Sequence, residues 1–334
     1  MNEIGKAGST SGFITVPTGI GVCTSKQNTA KVFETKRIRS VIPLDIQAKL
    51  NRAVVMMREL VLQAGDVMKR YRQGEIKFIL KPDGSKVTEA DIEIQKFIID
   101  RIRKEFPNSG IIAEETLEGK NYSTNNVTPA LGLNFVIDPI DGTGRFIELG
   151  DKNFGCAIAL MYNGEVIAAT FYAPEYEINS HSSDKYSGSL FEASELCDGM
   201  FLNGKPVCMD AKKTNFNNHT AVLEDVQEHG LNLDSLKVIH ANGSDVLTLS
   251  LVSSGLKDTP IVLANGGWDG SPGAYLWDVV AGAYFIEKAG GVAWNRHGDN
   301  FFPLTNIALH KGKPVYNGEY FTGYPNAIKQ LLGV

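Results

Sequence analysis

The sequence predicts an α+β fold in two halves, and three observations support this prediction. Two long amphipathic segments near the start, 44–73 and 88–106, repeat apolar residues at helical spacing. Short strand-like runs separated by tight turns follow, as in an antiparallel sheet. Strand-like and helix-like segments then alternate, which is typical of an α/β arrangement. We therefore predict one domain at 44–210 and a second, smaller one at 211–334.

Composition and charge narrow the class of partner. The chain has 334 residues, of which 43% are hydrophobic and 21% charged, and its formal net charge is −5. These proportions are ordinary for a globular protein, and the charge gives no attraction for a nucleic acid polymer or an anionic membrane. No apolar run approaches the ~20 residues that a membrane span needs. We therefore expect a small-molecule partner, with no nucleic acid polymer and no membrane.

Residues 1–43 differ from the rest of the chain. They are rich in Ser, Thr, Gly, Lys and Arg, contain few acids, and lack the apolar core of a secretory signal. We predict a flexible N-terminal extension, with an organelle transit peptide as the alternative. The four cysteines show no metal-ligand spacing, which favours a reduced interior. We expect a cytoplasmic protein.

The elements are predicted from local signals. Thr88 has the side chain of a helix N-cap, with Asp91 in the first turn of the helix that follows. Asp83-Gly84, Asn163-Gly164 and Asn203-Gly204 predict tight turns, the second of them between the arms of a hairpin. The remaining predicted strands are at 77–80, 110–115, 133–136, 188–193, 200–207, 237–241, 260–265, 291–295 and 313–321. The remaining predicted helices are at 243–255, 277–290 and 324–332.

Acidic residues collect where predicted elements begin or end. Buried carboxylates are rare unless they are paired or bind cations. Clusters with only oxygen ligands suit hard cations, Mg²⁺ first and Mn²⁺ or Ca²⁺ next. The acidic residues at these positions are Asp91, Glu114, Glu115, Asp138, Asp141 and Asp278. The pattern predicts a divalent-cation site that works on a phosphate ester.

The stretch DPIDGT, 138–143, places two aspartates three residues apart on a predicted turn. Pro139 restricts the backbone, so that both carboxylates can point at one place. Gly142 allows the chain to approach a ligand closely, and the amides of 142–144 would begin a helix and suit a phosphate. The alternative is an Asx-turn with two solvated acids. The spacing excludes the DxDGT motif of aspartyl-phosphate phosphatases, whose acids lie two apart.

Four motifs occur in one order that resembles the inositol monophosphatase family. This family contains Mg²⁺-dependent, lithium-sensitive phosphatases, among them inositol phosphatases, 3'-phosphoadenosine 5'-phosphate nucleotidases and histidinol-phosphatases. The resemblance covers about 45–334. It implies a five-layer αβαβα sandwich of the inositol monophosphatase and fructose-1,6-bisphosphatase type, usually as a homodimer. The four matching motifs are KPDGSKVTEAD (81–91), IIAEE (111–115), DPIDGT (138–143), and WDVVAG followed by EKAGG (277–282 and 287–291).

The resemblance also implies a set of metal ligands. Glu114, Asp138 and the Ile140 carbonyl would bind a first Mg²⁺. Asp138, Asp141 and Asp278 would bind a second, with Asp138 bridging the two. A third, weaker ion would use Glu114 and water, so that two to three ions are expected per site, with Mn²⁺ as a substitute.

Further roles follow from the same resemblance. Thr143, hydrogen-bonded to Asp91, would orient and deprotonate the attacking water beside Glu114, in a direct in-line attack by metal-activated water with no phosphoenzyme. Lys81 and Glu115 would surround the metal ligands. For Lys81, a solvent-exposed side chain is the alternative.

The substrate is less well defined by the motifs. Gly142 and Thr143 would bind the phosphate, and Gly243, Ser244 and Asp245 match a helix start that flanks the substrate in the family. Asp245 would place a carboxylate near the substrate, which suits hydroxyl or amine groups. Ser271 occupies the position at which inositol-type members have an acidic inositol contact.

These features leave two classes of function. The first is a Mg²⁺-dependent phosphomonoesterase with inositol phosphates as the first expected substrates and histidinol phosphate or the 3'(2'),5'-bisphosphate nucleotide as alternatives. The second is a non-catalytic homologue that binds metal or phosphate. Every implied ligand and the Thr143–Asp91 pair are present, which favours the enzyme.

Overall fold

A computed structural model describes the chain apart from a few segments. The described residues are 42–117, 120–121, 132–183, 185, 187–234, 236–240, 243–256, 259–267 and 271–333. Of the extension predicted at 1–43, residues 1–41 lie outside the described residues.

The described residues form six α-helices and eighteen strands. The helices are α1 (Leu44–Tyr71), α2 (Glu89–Glu105), α3 (Thr143–Ile147), α4 (Asp245–Ser254), α5 (Leu276–Lys288) and α6 (Pro325–Leu332). The strands are β1 (Phe78–Leu80), β2 (Lys86–Thr88), β3 (Gly110–Ala113), β4 (Thr116–Leu117), β5 (Lys120–Asn121), β6 (Leu133–Asp141), β7 (Gly155–Tyr162), β8 (Glu165–Ala173), β9 (Ser189–Ser194), β10 (Met200–Leu202), β11 (Lys205–Val207), β12 (Thr220–Glu224), β13 (Lys237–His240), β14 (Val262–Asn265), β15 (Val292–Asn295), β16 (Ile307–His310), β17 (Lys313–Tyr316) and β18 (Tyr320–Gly323).

Two large sheets organise the fold. The first has seven strands in the order β11-β10-β9-β8-β7-β6-β3, all antiparallel neighbours except β3 and β6, which are parallel. The second has five strands in the order β13-β12-β14-β18-β15, in which β12 is parallel to both of its neighbours. The first sheet ends at Val207 and the second begins at Thr220. The domain division between 210 and 211 stays a prediction.

The helices and sheets stack in five layers. α1 and α2 pack on one face of the seven-stranded sheet, and α4 and α5 lie between the two large sheets. α6 covers the outer face of the five-stranded sheet at β18. The predicted αβαβα sandwich is therefore confirmed. None of the described helices combines the length and apolar character that crossing a membrane requires.

Local signals account for most of the elements near the site. Thr88 caps α2 in a capping box with Asp91, as predicted. Asn163 has a φ of 51° and begins the turn of the β7–β8 hairpin, because Asn tolerates the left-handed conformation better than most residues. β12, which ends at Glu224, is not among the strands predicted from the sequence.

The aspartate motif corrects one expectation. The predicted turn at 138–141 belongs to β6, which continues to Asp141 with an irregular register between Asp138 and Asp141. Pro139 has no N–H to donate to the ladder, which agrees with a break in the pairing at that point. The strand therefore delivers both aspartates, and α3 begins immediately after Gly142.

Candidate metal centre and active site

Three aspartates meet where the end of β6 faces the first turn of α5. Asp138, Asp141 and Asp278 each offer a carboxylate oxygen, and these oxygens lie within 4.8 Å of one another. Asp138 is only 1% exposed. Both of its carboxylate oxygens are buried, and among the described residues neither has a hydrogen-bond partner. A buried carboxylate without a partner is costly, so this arrangement fits a bound cation.

The electrostatics of the cluster support the same conclusion. The pKa of Asp138 is raised well above its usual value by burial and then by the charges of Glu114, Asp141 and Asp278. The pKa of Asp278 is also raised well above its usual value, by burial and then by neighbouring carboxylates. Burial raises the pKa of Asp141, although hydrogen bonds from Ser244 and Leu247 act against this rise. Burial and the neighbouring carboxylates outweigh Lys81, which lowers the pKa of Asp278, so the cluster favours the additional positive charge that a hard divalent cation would supply.

Glu114 lies beside this cluster and is paired with a lysine. Lys81 Nζ donates to Glu114 Oε1 at 2.7 Å and to Glu115 Oε1 at 2.9 Å. The Lys81 side chain is 13% exposed, so the alternative of a solvated lysine is wrong. Gln95 fixes the backbone of Glu115, accepting from its N–H at 2.8 Å and donating to its carbonyl at 2.7 Å. Glu114 is held close to the aspartates without being one of the three clustered ligands.

Asp91 and Thr143 form a second, buried arrangement. Asp91 Oδ2 accepts from the Thr88 amide at 2.8 Å and the Thr88 hydroxyl at 2.5 Å. Asp91 Oδ1 accepts from Thr143 Oγ1 at 3.1 Å. Burial is the largest cause of a pKa of about 7 at Asp91. The structure therefore brings together the pair that the resemblance implies.

The Ile140 carbonyl and Gly142 complete the turn into α3. Thr143 Oγ1 lies 3.0 Å from the Ile140 carbonyl oxygen. This contact occupies at most one lone pair of the carbonyl oxygen, so the other can bind a cation. Gly142 has a φ of +80°, and a Cβ there would lie 2.6 Å from the Asn153 carbonyl oxygen. It would also lie 3.1 Å from the Gly243 carbonyl oxygen. Only glycine fits this close approach without displacing the backbone.

The start of α4 is attached to a metal-ligand candidate. The Ser244 hydroxyl and the Leu247 amide, the latter at 3.1 Å, both donate to Asp141 Oδ2. Asp245 follows, and its Oδ2 accepts from Asn265 Nδ2 at 2.6 Å and from the Tyr320 hydroxyl at 3.4 Å. The predicted group at 243–245 therefore adjoins the aspartate cluster.

One predicted lining residue gains no support, and three residues near the site were not predicted. The hydrogen bonds of Ser271 stay within its own turn, to the carbonyl and the amide of Gly273, so its predicted substrate contact gains no support. Sequence reasoning missed Glu224, Asn265 and Tyr320. Glu224 ends the apolar run TAVLE, just as Glu114 follows the apolar run GIIA. An acidic residue at the end of a strand-like run is the signal that pointed to Glu114, and the same signal could have identified Glu224.

Comparisons with known proteins identify the family and the fold of this chain. A model of the inositol monophosphatase family matches residues 50–322. The fructose-1,6-bisphosphatase/inositol-1-monophosphatase of Thermotoga maritima is 28% identical over 223 residues, covering 66% of this chain and 75% of the relative. The histidinol-phosphatase of Chlorobaculum parvum is 28% identical over 250 residues, covering 72% and 84%. The crystal structure of the extragenic suppressor protein suhB from Bartonella henselae has a TM-score of 0.62 at 20% identity, covering 84% and 97%, which shows a shared fold.

Proposed function

Because this chain belongs to the inositol monophosphatase family, we propose that it is a metal-dependent phosphomonoesterase acting on a small phosphorylated metabolite. The observation that carries the proposal is the Asp138 carboxylate, whose two oxygens are buried and have no hydrogen-bond partner among the described residues. An anionic pocket would repel a phosphate ester, whereas the same pocket loaded with divalent cations would bind it.

The donor set fits Mg²⁺, with Mn²⁺ as a substitute. Asp138, Asp141 and Asp278 would hold it, with Glu114 and the Ile140 carbonyl as further ligands, for two to three ions in all. Oxygen donors without nitrogen or sulfur suit this choice. When bound, the cations would supply positive charge to the phosphate oxygens and acidify the attacking water.

The chain's own residues would then orient the water and the phosphate. Thr143 donates to Asp91, which leaves the lone pairs of its hydroxyl oxygen to accept from a water. Asp91, with a pKa of about 7 because of its burial, is suited to take up a proton near neutral pH. The first amides of α3, those of Thr143 and Gly144, lack acceptors within the helix and would face the phosphate.

The identity of the metabolite is a finer question. Inositol phosphates, histidinol phosphate and a bisphosphorylated nucleotide are all candidates on the resemblance. The histidinol-phosphatase relative shows that similarity at this level does not select one substrate. Lithium sensitivity and the homodimer stay predictions.

The test is phosphate release from four esters, in Mg²⁺ and in a chelator. The esters are inositol 1-phosphate, histidinol phosphate, 3'-phosphoadenosine 5'-phosphate and fructose 1,6-bisphosphate. Asp138→Asn should lose several kcal/mol of transition-state stabilisation, roughly a thousandfold or more in rate. Asp45→Asn makes the same chemical change at a side chain that is 68% exposed, and should keep wild-type activity.

Asp138 is a better target than Asp141, because Asp141 also anchors the start of α4. An Asp138→Asn variant with most of its activity would refute the metal assignment. If calorimetry shows Mg²⁺ binding but no ester is hydrolysed, the non-catalytic homologue becomes the better explanation.

A further inference from the structure

We infer that Gln95 is a positioning residue for the proposed metal centre, and that it sets the affinity for Mg²⁺ by fixing the backbone next to Glu114. This inference rests on the proposed phosphatase function, because Glu114 is a proposed metal ligand of that site. It depends on where the chain leaves the sheet at Glu114, on the contacts of Gln95, and on the helix that carries Gln95.

The regular pairing between β3 and β6 ends just before Glu114. The last register pair of these two parallel strands joins Ala113 to Ile137. The next residue along each chain segment is a proposed metal ligand, Glu114 in one and Asp138 in the other. Asp138 stays in the sheet, because Ala157 on β7 is its register partner. Glu114 follows the end of its strand, so its position depends on contacts from outside the sheet.

Gln95 supplies such contacts at the residue that follows Glu114. Gln95 Oε1 accepts from the Glu115 N–H at 2.8 Å, and Gln95 Nε2 donates to the Glu115 carbonyl at 2.7 Å. The two bonds engage both backbone polar groups of one residue, as an antiparallel strand partner would. Gln95 is fully buried, which is uncommon for a glutamine. Its side chain therefore takes the place of a strand partner for the backbone next to Glu114.

These bonds hold the backbone and leave the Glu114 side chain able to change partner. Lys81 Nζ donates to Glu114 Oε1 at 2.7 Å and to Glu115 Oε1 at 2.9 Å. A cation at the aspartate cluster would compete with Lys81 for the Glu114 carboxylate, and Glu115 would keep the lysine. Because the adjoining backbone is already ordered, Glu114 can bind the cation without a further loss of backbone entropy. Gln95 is therefore expected to raise the affinity for Mg²⁺.

The helix that carries Gln95 also carries Asp91. The two residues lie four apart on α2, so they share one face of the helix. Asp91 Oδ1 accepts from Thr143 Oγ1 at 3.1 Å. One helix thus holds both the backbone next to Glu114 and the pair proposed to orient the water. Removing the hydrogen bonds of Gln95 would release the first and leave the second in place.

Gln95→Met tests this assignment, because methionine has a similar shape and makes neither hydrogen bond. In calorimetry on the metal-free protein, Gln95→Met should raise the Kd for Mg²⁺ by roughly 10- to 100-fold, the usual range when a residue that orients a metal ligand is lost. The Mg²⁺ concentration that gives half-maximal hydrolysis should rise by a similar factor. The rate at saturating Mg²⁺ should fall much less, because Asp91 and Thr143 keep their hydrogen bond.

Thr322→Val is the matched control for the loss of a buried hydrogen bond. Thr322 is fully buried in the five-stranded sheet, and its hydroxyl donates to the Leu263 carbonyl at 2.8 Å. This variant should leave the Kd for Mg²⁺ unaltered even where it lowers stability. Gln95→Leu, which also removes both hydrogen bonds, replaces Gln95→Met if that variant does not fold. Circular dichroism checks the fold of each variant.

The outcomes separate this inference from the function on which it rests. If Gln95→Met binds Mg²⁺ as tightly as the wild-type protein, or if Thr322→Val weakens binding equally, the inference is wrong and the phosphatase proposal stands. If the wild-type protein binds Mg²⁺ but hydrolyses none of the four esters, the proposed function fails, and the Kd values still decide the inference. If the wild-type protein does not bind Mg²⁺, the metal assignment and the inference fail together.

Discussion

Asp138→Asn should stabilise the metal-free protein while abolishing its response to Mg²⁺. Asp138 is 1% exposed, and its oxygens have no hydrogen-bond partner among the described residues. An asparagine of the same shape carries no charge, and its amide can donate to the neighbouring Asp141 or Asp278. The residue proposed to hold the metal is therefore predicted to destabilise the fold when no metal is bound.

The size of the effect follows from the environment of the carboxylate. A buried polar group without a partner costs about 1–3 kcal/mol, more if it is charged. We expect Asp138→Asn to raise the free energy of unfolding by about 1–3 kcal/mol in a chelator at pH 7. For a chain of this size that corresponds to roughly 1–4 °C in Tm. Wild-type protein should gain about 3 kcal/mol from Mg²⁺ at a hundred times its Kd, and the variant little.

The dependence of stability on pH is a second measure of what the buried Asp138 charge costs the fold. The pKa of Asp138 is raised in the folded protein, so the folded state binds this proton more tightly than the unfolded state does. Stability is then lost as pH rises above the unfolded value of about 4, and the cost has accumulated by pH 7. The advantage of Asp138→Asn should be small at pH 4 and larger at pH 7.

Urea denaturation in a chelator and in Mg²⁺, at both pH values, measures these differences. Asp45→Asn serves as the control at an exposed acid. A variant that is less stable than wild type without metal, or that Mg²⁺ stabilises as strongly as wild type, would refute the reasoning.

Three further predictions concern other parts of the site and fold. Gly142→Ala should lower the free energy of unfolding by about 2–4 kcal/mol, because the φ of residue 142 is +80° and a Cβ there would lie 2.6 Å from the Asn153 carbonyl oxygen. Gly144→Ala, where a Cβ would have nothing within 4 Å, should change the free energy of unfolding by at most about 1 kcal/mol. Equal losses for the two variants in urea denaturation would contradict this explanation. Lys81→Met should lower the free energy of unfolding of the metal-free protein by about 3–5 kcal/mol, because it leaves Glu114 and Glu115 without their lysine partner. Mg²⁺ should restore part of this stability. A loss of stability that Mg²⁺ does not change in the same assay would argue against the charge explanation. Burial raises the pKa of Glu287 to about 8. The folded protein therefore keeps a proton on Glu287 that the unfolded chain has lost, and stability falls as pH rises from about 4 to 8. Glu287→Gln should therefore stabilise the protein at pH 8 and not at pH 4, and a gain in Tm that is independent of pH would be evidence against it.

Local contacts explain why much of the fold could be predicted from the sequence. The Thr88–Asp91 capping box joins residues three apart, and the Asn163-Gly164 turn depends on the backbone preferences of two adjacent residues. Helical periodicity likewise predicted α1 at 44–73, and the structure places it at Leu44–Tyr71. β12 was missed, because a five-residue strand buried in a parallel pair has no alternation to mark it.

The candidate site divides in the same way. Local sequence signals indicated which carboxylates follow strands or open helices, and motif resemblance grouped Asp138, Asp141 and Asp278. The partner that each of these side chains takes depends on the tertiary structure. Lys81 reaches Glu114 across 33 residues, and Ser244 reaches Asp141 across 103. Such contacts depend on the register of separate sheets and on the layer of α4 and α5 between them, and that information is not local in the sequence.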